Sequence, residues 1–218
     1  MFKAVLLASV IIFAPGVVLA QVTVAESVAV AESDKVSFSV GAADSYLFER
    51  LAFKVEGPVV NAGVTYDVTE NFSVNVWAQY GDDRLSQEID VTGTATTTIV
   101  GVDVSVTAGG YFYPTDGSDT IYTVAGAAYV PMGPVVIELQ ADHYMGGFEN
   151  TTFSAAIAGS VGSVNISLGK AFNTDGIDPV FARISVPVGP ENLGIRAGAR
   201  FYSGEGEEGL VFELSSSF

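Results

Sequence analysis

The sequence contains no cysteine, a single histidine, and only nine basic residues against 25 acidic ones. The lack of cysteine excludes a disulfide framework, a thiolate zinc site and the acylated cysteine of a lipoprotein. The formal net charge of −16 argues against nucleic acid as a partner, because nucleic-acid binding needs a basic surface. Apolar runs of 18 or more residues are also missing, so any membrane span must be built from strands.

The first 20 residues have the pattern of a secretory signal peptide. Lys3 supplies the positive charge, residues 4–14 form a short apolar run, and Ala20 ends a small-residue cleavage pattern. A helix that spans a bilayer needs about 20 apolar residues, which this run does not reach. We therefore expect export to the periplasm, with 1–20 as signal peptide, 21–34 as a periplasmic lead-in or an extra strand, and 35–218 as the folded domain.

Apolar and polar residues alternate with a period of two through most of the remaining chain. Between positions 100 and 113, for example, every even position is apolar or glycine, whereas the odd positions are polar, aromatic or glycine. This period is typical of β-strands with one apolar face. Turn signals divide the chain into about twelve predicted strands: 35–43, 57–67, 72–81, 86–96, 99–113, 119–130, 133–144, 151–161, 163–172, 179–188, 193–202 and 209–218.

The lengths of these strands and of their connections predict an all-β fold, a single antiparallel transmembrane β-barrel with up-and-down meander topology. Most strands have the 9–11 residues that a tilted membrane strand needs. Longer connections are expected near 44–56, 82–85, 114–118, 145–150, 173–178 and 203–208. They alternate with short ones near 68–71, 97–98, 131–132, 162 and 189–192. Long extracellular loops and short periplasmic turns are typical of outer-membrane barrels, so we expect the cell outer membrane, with both termini in the periplasm.

Two further features resemble outer-membrane proteins. The last strand ends in Phe218, which resembles the C-terminal signal recognised by the barrel assembly machinery. Residues 45–83 resemble the opening of the TorF-like putative porins through Tyr46, Phe48, Arg50, Pro58, Gly63, Tyr66, Phe72, Trp77, Asp82 and Asp83. The resemblance implies a barrel and a possible pore.

Charged residues on the polar face of the predicted strands form the candidate lumen set. Its members are Arg183, Arg196, Arg200, Glu88, Asp90, Asp103, Glu138, Asp142 and Glu213. In a barrel of twelve strands, the arginines of strands ten and eleven lie across the lumen from the acids of strands four and five. One interpretation is a transverse field that orients dipolar solutes and sets ion selectivity. The other is neutralisation within the wall, with Arg196 and Arg200 beside Glu213.

Other motifs give weaker signals for chemistry. The G-x-G-x-x-G pattern at 204–209 precedes a strand instead of a helix and is acidic, so we expect no nucleotide site and no cofactor. His143 with Ser154 is a candidate pair for a barrel hydrolase, but an interfacial histidine explains His143 as well, and we predict no enzyme. The acidic loops predict a negatively charged mouth that contacts lipopolysaccharide through divalent cations, without a specific metal site.

These observations favour a narrow, passive, porin-like channel for small solutes or ions in the outer-membrane lipid. A closed structural or attachment barrel that acts through its acidic loops is the alternative. A soluble secreted β-protein is a further interpretation.

We predict that the protein partitions into the outer-membrane fraction and that its gel mobility is heat-modifiable. A folded barrel resists detergent at room temperature, so the unheated sample should migrate differently from the boiled one. Recovery of the protein in the soluble periplasmic fraction, without a mobility shift, would contradict the membrane assignment.

Overall fold

The computed structural model describes residues 35–83, 86–114, 120–190, 193–204 and 207–217. The predicted signal peptide, the lead-in 21–34 and Phe218 lie outside these residues and stay predictions. The described strands are β1 (Val36–Phe48), β2 (Phe53–Thr69), β3 (Phe72–Gly81), β4 (Glu88–Ile99), β5 (Val102–Phe112), β6 (Ile121–Met132), β7 (Val135–Gly146), β8 (Asn150–Val161), β9 (Val164–Asn173), β10 (Val180–Pro187), β11 (Arg196–Gly204) and β12 (Glu207–Ser217). No helix in the described ranges is long and apolar enough to cross a membrane.

The twelve strands form one closed antiparallel barrel in which sequence neighbours pair in order and β12 returns to β1. This arrangement confirms the predicted all-β meander barrel of about twelve strands. The closing ladder is short, since it runs only from Ser39 opposite Ser217 to Ala43 opposite Glu213. Closure satisfies the backbone hydrogen bonds that an open sheet edge would leave unpaired.

The alternation found in the sequence places apolar side chains outside and polar side chains inside. Large hydrophobic residues are exposed on the outer face around the barrel: Val64, Val76, Val91, Val106, Val124, Leu139, Ile157, Leu168, Ile184 and Phe212. Their partners one position away, such as Asn75, Thr92 and Thr107, face the lumen, where Thr94 and Thr107 share a hydrogen bond of 2.9 Å. An apolar outside around a polar inside is the pattern of a barrel surrounded by lipid.

We call the end with Val36 and Ser217 the lower rim and the opposite end the upper rim. Two-residue turns at 70–71, 100–101, 133–134 and 162–163 lie at the lower rim. Short connections were predicted near these places, at 68–71, 97–98, 131–132 and 162, so the second and third lie two or three positions later than predicted. Val100 and Gly101 both have positive φ values, 52° and 77°, which matches the tight turn between β4 and β5.

Three predicted connections are wrong. A short link was expected at 189–192, yet β10 ends at Pro187 and β11 begins only at Arg196; between them the Leu193 amide donates a hydrogen bond to the Pro190 backbone oxygen. A long link was expected at 203–208, yet β11 continues to Gly204 and β12 begins at Glu207, and residues 205–206 lie outside the described residues. The expected loop at 44–56 is instead a continuation of β1 and β2, joined by a 3₁₀ turn at Glu49–Leu51.

We predict that Val106→Arg lowers the free energy of unfolding in bilayers by about 2–4 kcal/mol, the cost of a cation on the lipid face near the midplane. Val106 is 53 % exposed on the outer face of β5. The neighbouring substitution Ser105→Arg points into the lumen and is the matched control, with a smaller loss. Urea titration of folding into vesicles measures both, and equal losses would contradict the assigned faces.

Candidate functional site

The tip of the first β-hairpin, residues 45–56, leaves the barrel wall and crosses the lumen; we call it the lumenal hairpin. The register between β1 and β2 shifts between Ala43 and Ser45, where Gly57 adopts a φ of 110° that favours glycine. Pro58 is tolerated next to this bulge because the ladder from β2 to β3 ends at Val59 opposite Gly81. The two-stranded ribbon bends away from the wall at this point because the bulge, Gly57 and Pro58 act together.

Tyr46 attaches the lumenal hairpin to the acidic side of the lumen. Its hydroxyl donates a hydrogen bond of 2.7 Å to Glu88 Oε2 on β4, and both residues are buried. Tyr113, which follows β5, donates to the other oxygen of Glu88 at 3.3 Å. Burial and the charge of Glu88 raise the pKa of the Tyr113 phenol, which therefore stays protonated and able to donate.

Arg50 attaches the tip to the opposite strands. Its Nη1 lies 3.0 Å from Asp142 Oδ2 on β7, and the Asp142 side chain is only 6 % exposed. Gln140 donates a hydrogen bond of 2.7 Å to the second oxygen of Asp142. The amide of Asn173 on β9 donates to the backbone oxygen of Arg50 at 2.9 Å. The ion pair joins residues that are 92 positions apart, so it bridges the lumen.

Apolar packing fills the space between the lumenal hairpin and β10–β12. Leu47 is 2 % exposed and belongs to a cluster with Phe181, Tyr202 and Val211. Arg200 on β11 donates to the backbone oxygen of Leu47 at 3.4 Å. On the other side, the rings of Phe48 and Tyr144 meet edge to face with centroids 6.3 Å apart. The hairpin therefore contacts the wall in several directions and narrows the lumen near the upper rim.

The interior of the described barrel contains an upper and a lower cavity. The upper cavity, about 310 Å³, lies against the lumenal hairpin and is lined by Tyr46, Leu47, Phe48, Trp77, Asp90 and Arg200 among others. The lower cavity, about 640 Å³, opens toward the lower rim and is lined by residues including Tyr129, Glu138, Ser167, Arg183, Ser185 and Glu213. Each cavity has at least one acidic and one basic side chain in its wall.

The structure places the predicted arginines of β10 and β11 across the barrel from three of the predicted acids. Arg183 lies on β10 and Arg196 on β11, whereas Glu88 and Asp90 lie on β4 and Asp103 on β5. The strand order puts β10 and β11 across from β4 and β5. The hairpin stands between the two walls in the upper half, an obstacle that strand order alone does not predict.

Arg196 and Arg200 were both predicted to lie beside Glu213 as neutralising pairs, and only Arg200 forms this ion pair. Arg200 Nε lies 2.9 Å from Glu213 Oε2. Arg196 instead donates to Ser185 Oγ at 3.1 Å and to the Ser185 backbone oxygen at 3.0 Å. Whether the nine charged residues set ion selectivity stays a prediction.

Sequence reasoning missed the role of Arg50 and its flanking aromatic residues. It used Tyr46, Phe48 and Arg50 only to support a family resemblance, within a segment expected to be an exposed loop. The available signal was composition: the run SYLFERLAF at 45–53 is too apolar for a loop in an otherwise acidic set of connections.

The hydrolase interpretation does not match the geometry. His143 is exposed on the outer face of β7, where its Nδ1 lies 2.9 Å from Thr151 Oγ1. Ser154 pairs with Gln140 and therefore faces the lumen, on the other side of the sheet. Within the described ranges, no three His, Cys, Asp or Glu side chains are grouped to hold a metal ion.

Comparison with solved structures finds similar folds. The KdgM porin superimposes with a TM-score of 0.63 at 7 % identity, over 84 % of this chain and 98 % of that chain. KdgM porin in complex with disordered oligogalacturonate superimposes with a TM-score of 0.58 at 6 % identity, over 84 % of this chain and 98 % of that chain. A structure from work on in-meso crystallization of membrane proteins superimposes with a TM-score of 0.57 at 12 % identity, over 84 % of this chain and 83 % of that chain.

The chain has the fold of an outer-membrane porin. At these low identities the likeness concerns the fold alone. No protein-family model and no curated protein matches the sequence. The resemblance of residues 45–83 to TorF-like putative porins therefore stays a prediction.

We predict that Asp142→Asn loosens the lumenal hairpin, because Arg50 loses its charged partner. The free energy of unfolding should fall by about 1.5–3 kcal/mol, the range for hydrogen bonds to charged groups. Trypsin should then cleave the folded barrel after Arg50 faster than in the unmodified protein. The control is Glu56→Gln, which removes the exposed pair of Lys54 and Glu56 at 2.8 Å and should leave this cleavage unchanged. If trypsin cleaved after Arg50 at the same rate in the unmodified protein and in both variants, the anchoring role of the ion pair would be contradicted.

Proposed function

We propose that this protein is an outer-membrane channel for passive diffusion of small solutes, with the lumenal hairpin as its constriction. The observation that supports this most directly is a closed barrel with a polar interior that retains cavities of about 640 and 310 Å³. Side chains fill the interior of a barrel of about eight strands, and the diameter grows with strand number, so a barrel of twelve strands has room for a passage.

The apolar outer face supports the proposed membrane location. Aromatic rings are exposed on the outer face near both ends of the strands: Phe112, Tyr122, Phe153, Phe172 and Phe201 toward the upper rim, and Tyr66 and Phe72 toward the lower rim. Aromatic girdles at the two interfaces are typical of outer-membrane barrels. In this proposal the lower rim faces the periplasm, and the acidic upper loops contact lipopolysaccharide through divalent cations. Phe218 serves the assembly machinery.

The charges of the lower cavity favour small dipolar solutes. Glu138 and Glu213 line the same space as Arg183, and Ser167 and Ser185 add hydroxyl groups. Opposite charges on facing walls orient a dipole and select against a solute that carries one strong charge. KdgM porin binds oligogalacturonate in its complex; an acidic chain of that kind suits the mixed charges of this lumen poorly.

We predict that Arg183→Ala with Arg196→Ala shifts the channel toward cations. A unit charge about 7 Å from an ion in water contributes roughly 0.6 kcal/mol. Removing one arginine lowers the free energy of potassium and raises that of chloride by this amount, so each arginine removed should raise the permeability ratio of potassium to chloride roughly sevenfold. Reversal potentials across planar bilayers under a KCl gradient measure the ratio.

The control is Lys170→Ala, which removes the same charge from the outer face, where Lys170 lies over the Phe172 ring. This variant should keep the original permeability ratio. A folded barrel that never conducts would contradict the channel and favour the closed structural barrel.

A further inference from the structure

The lumenal hairpin carries the side-chain pattern of a membrane-facing wall strand. Its β1 and β2 positions pair as Tyr46 with Val55 and Phe48 with Phe53, so these four apolar side chains share one face. Ser45, Leu47, Lys54 and Glu56 share the other face. Below the bulge, the apolar face of the same two strands is the outer face of the barrel, with Val40 and Ala62 as one of its pairs. One face of the hairpin is thus apolar and the other mostly polar, which is also the pattern of a wall strand.

Within the part of the chain that the structure describes, no strand pairs with residues 207–212 of β12 on the side next to the hairpin. Residues 207–212 of β12 pair with β11, from Glu207 opposite Gly204 to Phe212 opposite Ala199. The ladder from β12 to β1 stops below them, at Glu213 opposite Ala43. Asp44 Oδ1 accepts a hydrogen bond of 3.1 Å from the Phe212 amide, in the position of the next ladder bond. An uncovered strand edge beside lipid is costly and is a template for another strand.

The bend that separates the hairpin from this edge is small and local. Asp44 on β1 and Gly57 with Pro58 on β2 are the only positions of the register shift between the two strands. Gly57 has a φ of 110° and tolerates a wide range of backbone conformations. The ribbon can therefore rotate as a unit about this bulge, as hinges of a few residues do in other proteins.

We propose that the lumenal hairpin is the gate of the channel and that it opens by moving into the wall. In the open position β1 continues its ladder along β12, which places Tyr46 opposite Leu210 and Phe48 opposite Glu208. Tyr46 and Phe48 then face lipid, and the unpaired backbone of β12 gains partners. In the closed position the hairpin is held through Tyr46, which binds Glu88, and through Arg50, which binds Asp142 and Asn173. The gate rests on the proposed channel function, and the two are tested separately below.

Cross-linking tests the gate directly, since the chain has no native cysteine. The pair Tyr46→Cys with Leu210→Cys is predicted to form a disulfide only in the open position, where directly opposed strand residues have suitable Cα separations. In the closed position the Tyr46 side chain lies inside the barrel, where it binds Glu88 of β4. The Leu210 side chain is exposed on the outer face. Oxidation should raise the single-channel conductance severalfold, and a reductant should reverse the rise.

A second pair, Arg50→Cys with Asp142→Cys, locks the closed position through a short reducible bis-methanethiosulfonate linker. Linking should abolish conductance, and reduction should restore it. The matched control is Val40→Cys with Ser216→Cys, which already face each other in the ladder; its disulfide should leave conductance unchanged. The proposed gate is contradicted if the disulfide of the open position does not form in folded barrels. It is also contradicted if the open-position and the closed-position cross-links both leave conductance unchanged.

A shortened hairpin separates this result from the channel function itself. Replacing residues 46–55 by Asn-Gly leaves Ser45 and Glu56 as the last pair, joined by a two-residue turn. If this folded variant conducts continuously, the channel stands whatever the cross-links show. If it does not conduct at all, the proposed channel function fails, while gel detection of the disulfide still reports whether the hairpin moves.

Discussion

The short ladder between β1 and β12 is the contact on which the rest of the structure depends. Five residue pairs, from Ser39 opposite Ser217 to Ala43 opposite Glu213, close the barrel. Without them both end strands would present unpaired backbone groups to lipid, at a cost of several kcal/mol for each group. Because the ladder stops halfway up β12, the remainder of β1 is released into the lumen. The same contact therefore determines that the barrel closes and that its interior is narrowed.

The barrel itself was predictable from local patterns. Strand β3 was predicted at 72–81 and is observed as Phe72–Gly81, because the alternation is strong there and both ends have turn residues. Positions of the charged residues followed from the same alternation: Arg200 reaches Glu213 on the neighbouring strand, as the pairing predicts. Such contacts need only the register of adjacent strands.

The lumenal hairpin was not predictable in the same way. Residues 45–56 do not alternate throughout, since Tyr46, Leu47 and Phe48 are consecutive apolar residues, and Gly57 with Pro58 gave the appearance of a loop. The bend direction depends on partners far away in sequence, above all Asp142 for Arg50 and Glu88 for Tyr46. Arg196 illustrates the same limit, since its choice of Ser185 over Glu213 depends on side-chain geometry that period-two alternation does not encode.

The position of the lumenal hairpin is the central claim, and a ring-to-ring nuclear Overhauser effect tests it most directly. Phe48 and Tyr144 lie edge to face with centroids 6.3 Å apart, although Phe48 belongs to β1 and Tyr144 to β7. In a selectively labelled barrel in detergent micelles, we expect cross-peaks between the ring protons of these two residues. Cross-peaks from Phe48 to β12 or to detergent chains, with none to Tyr144, would contradict a hairpin that lies inside the barrel and narrows the lumen.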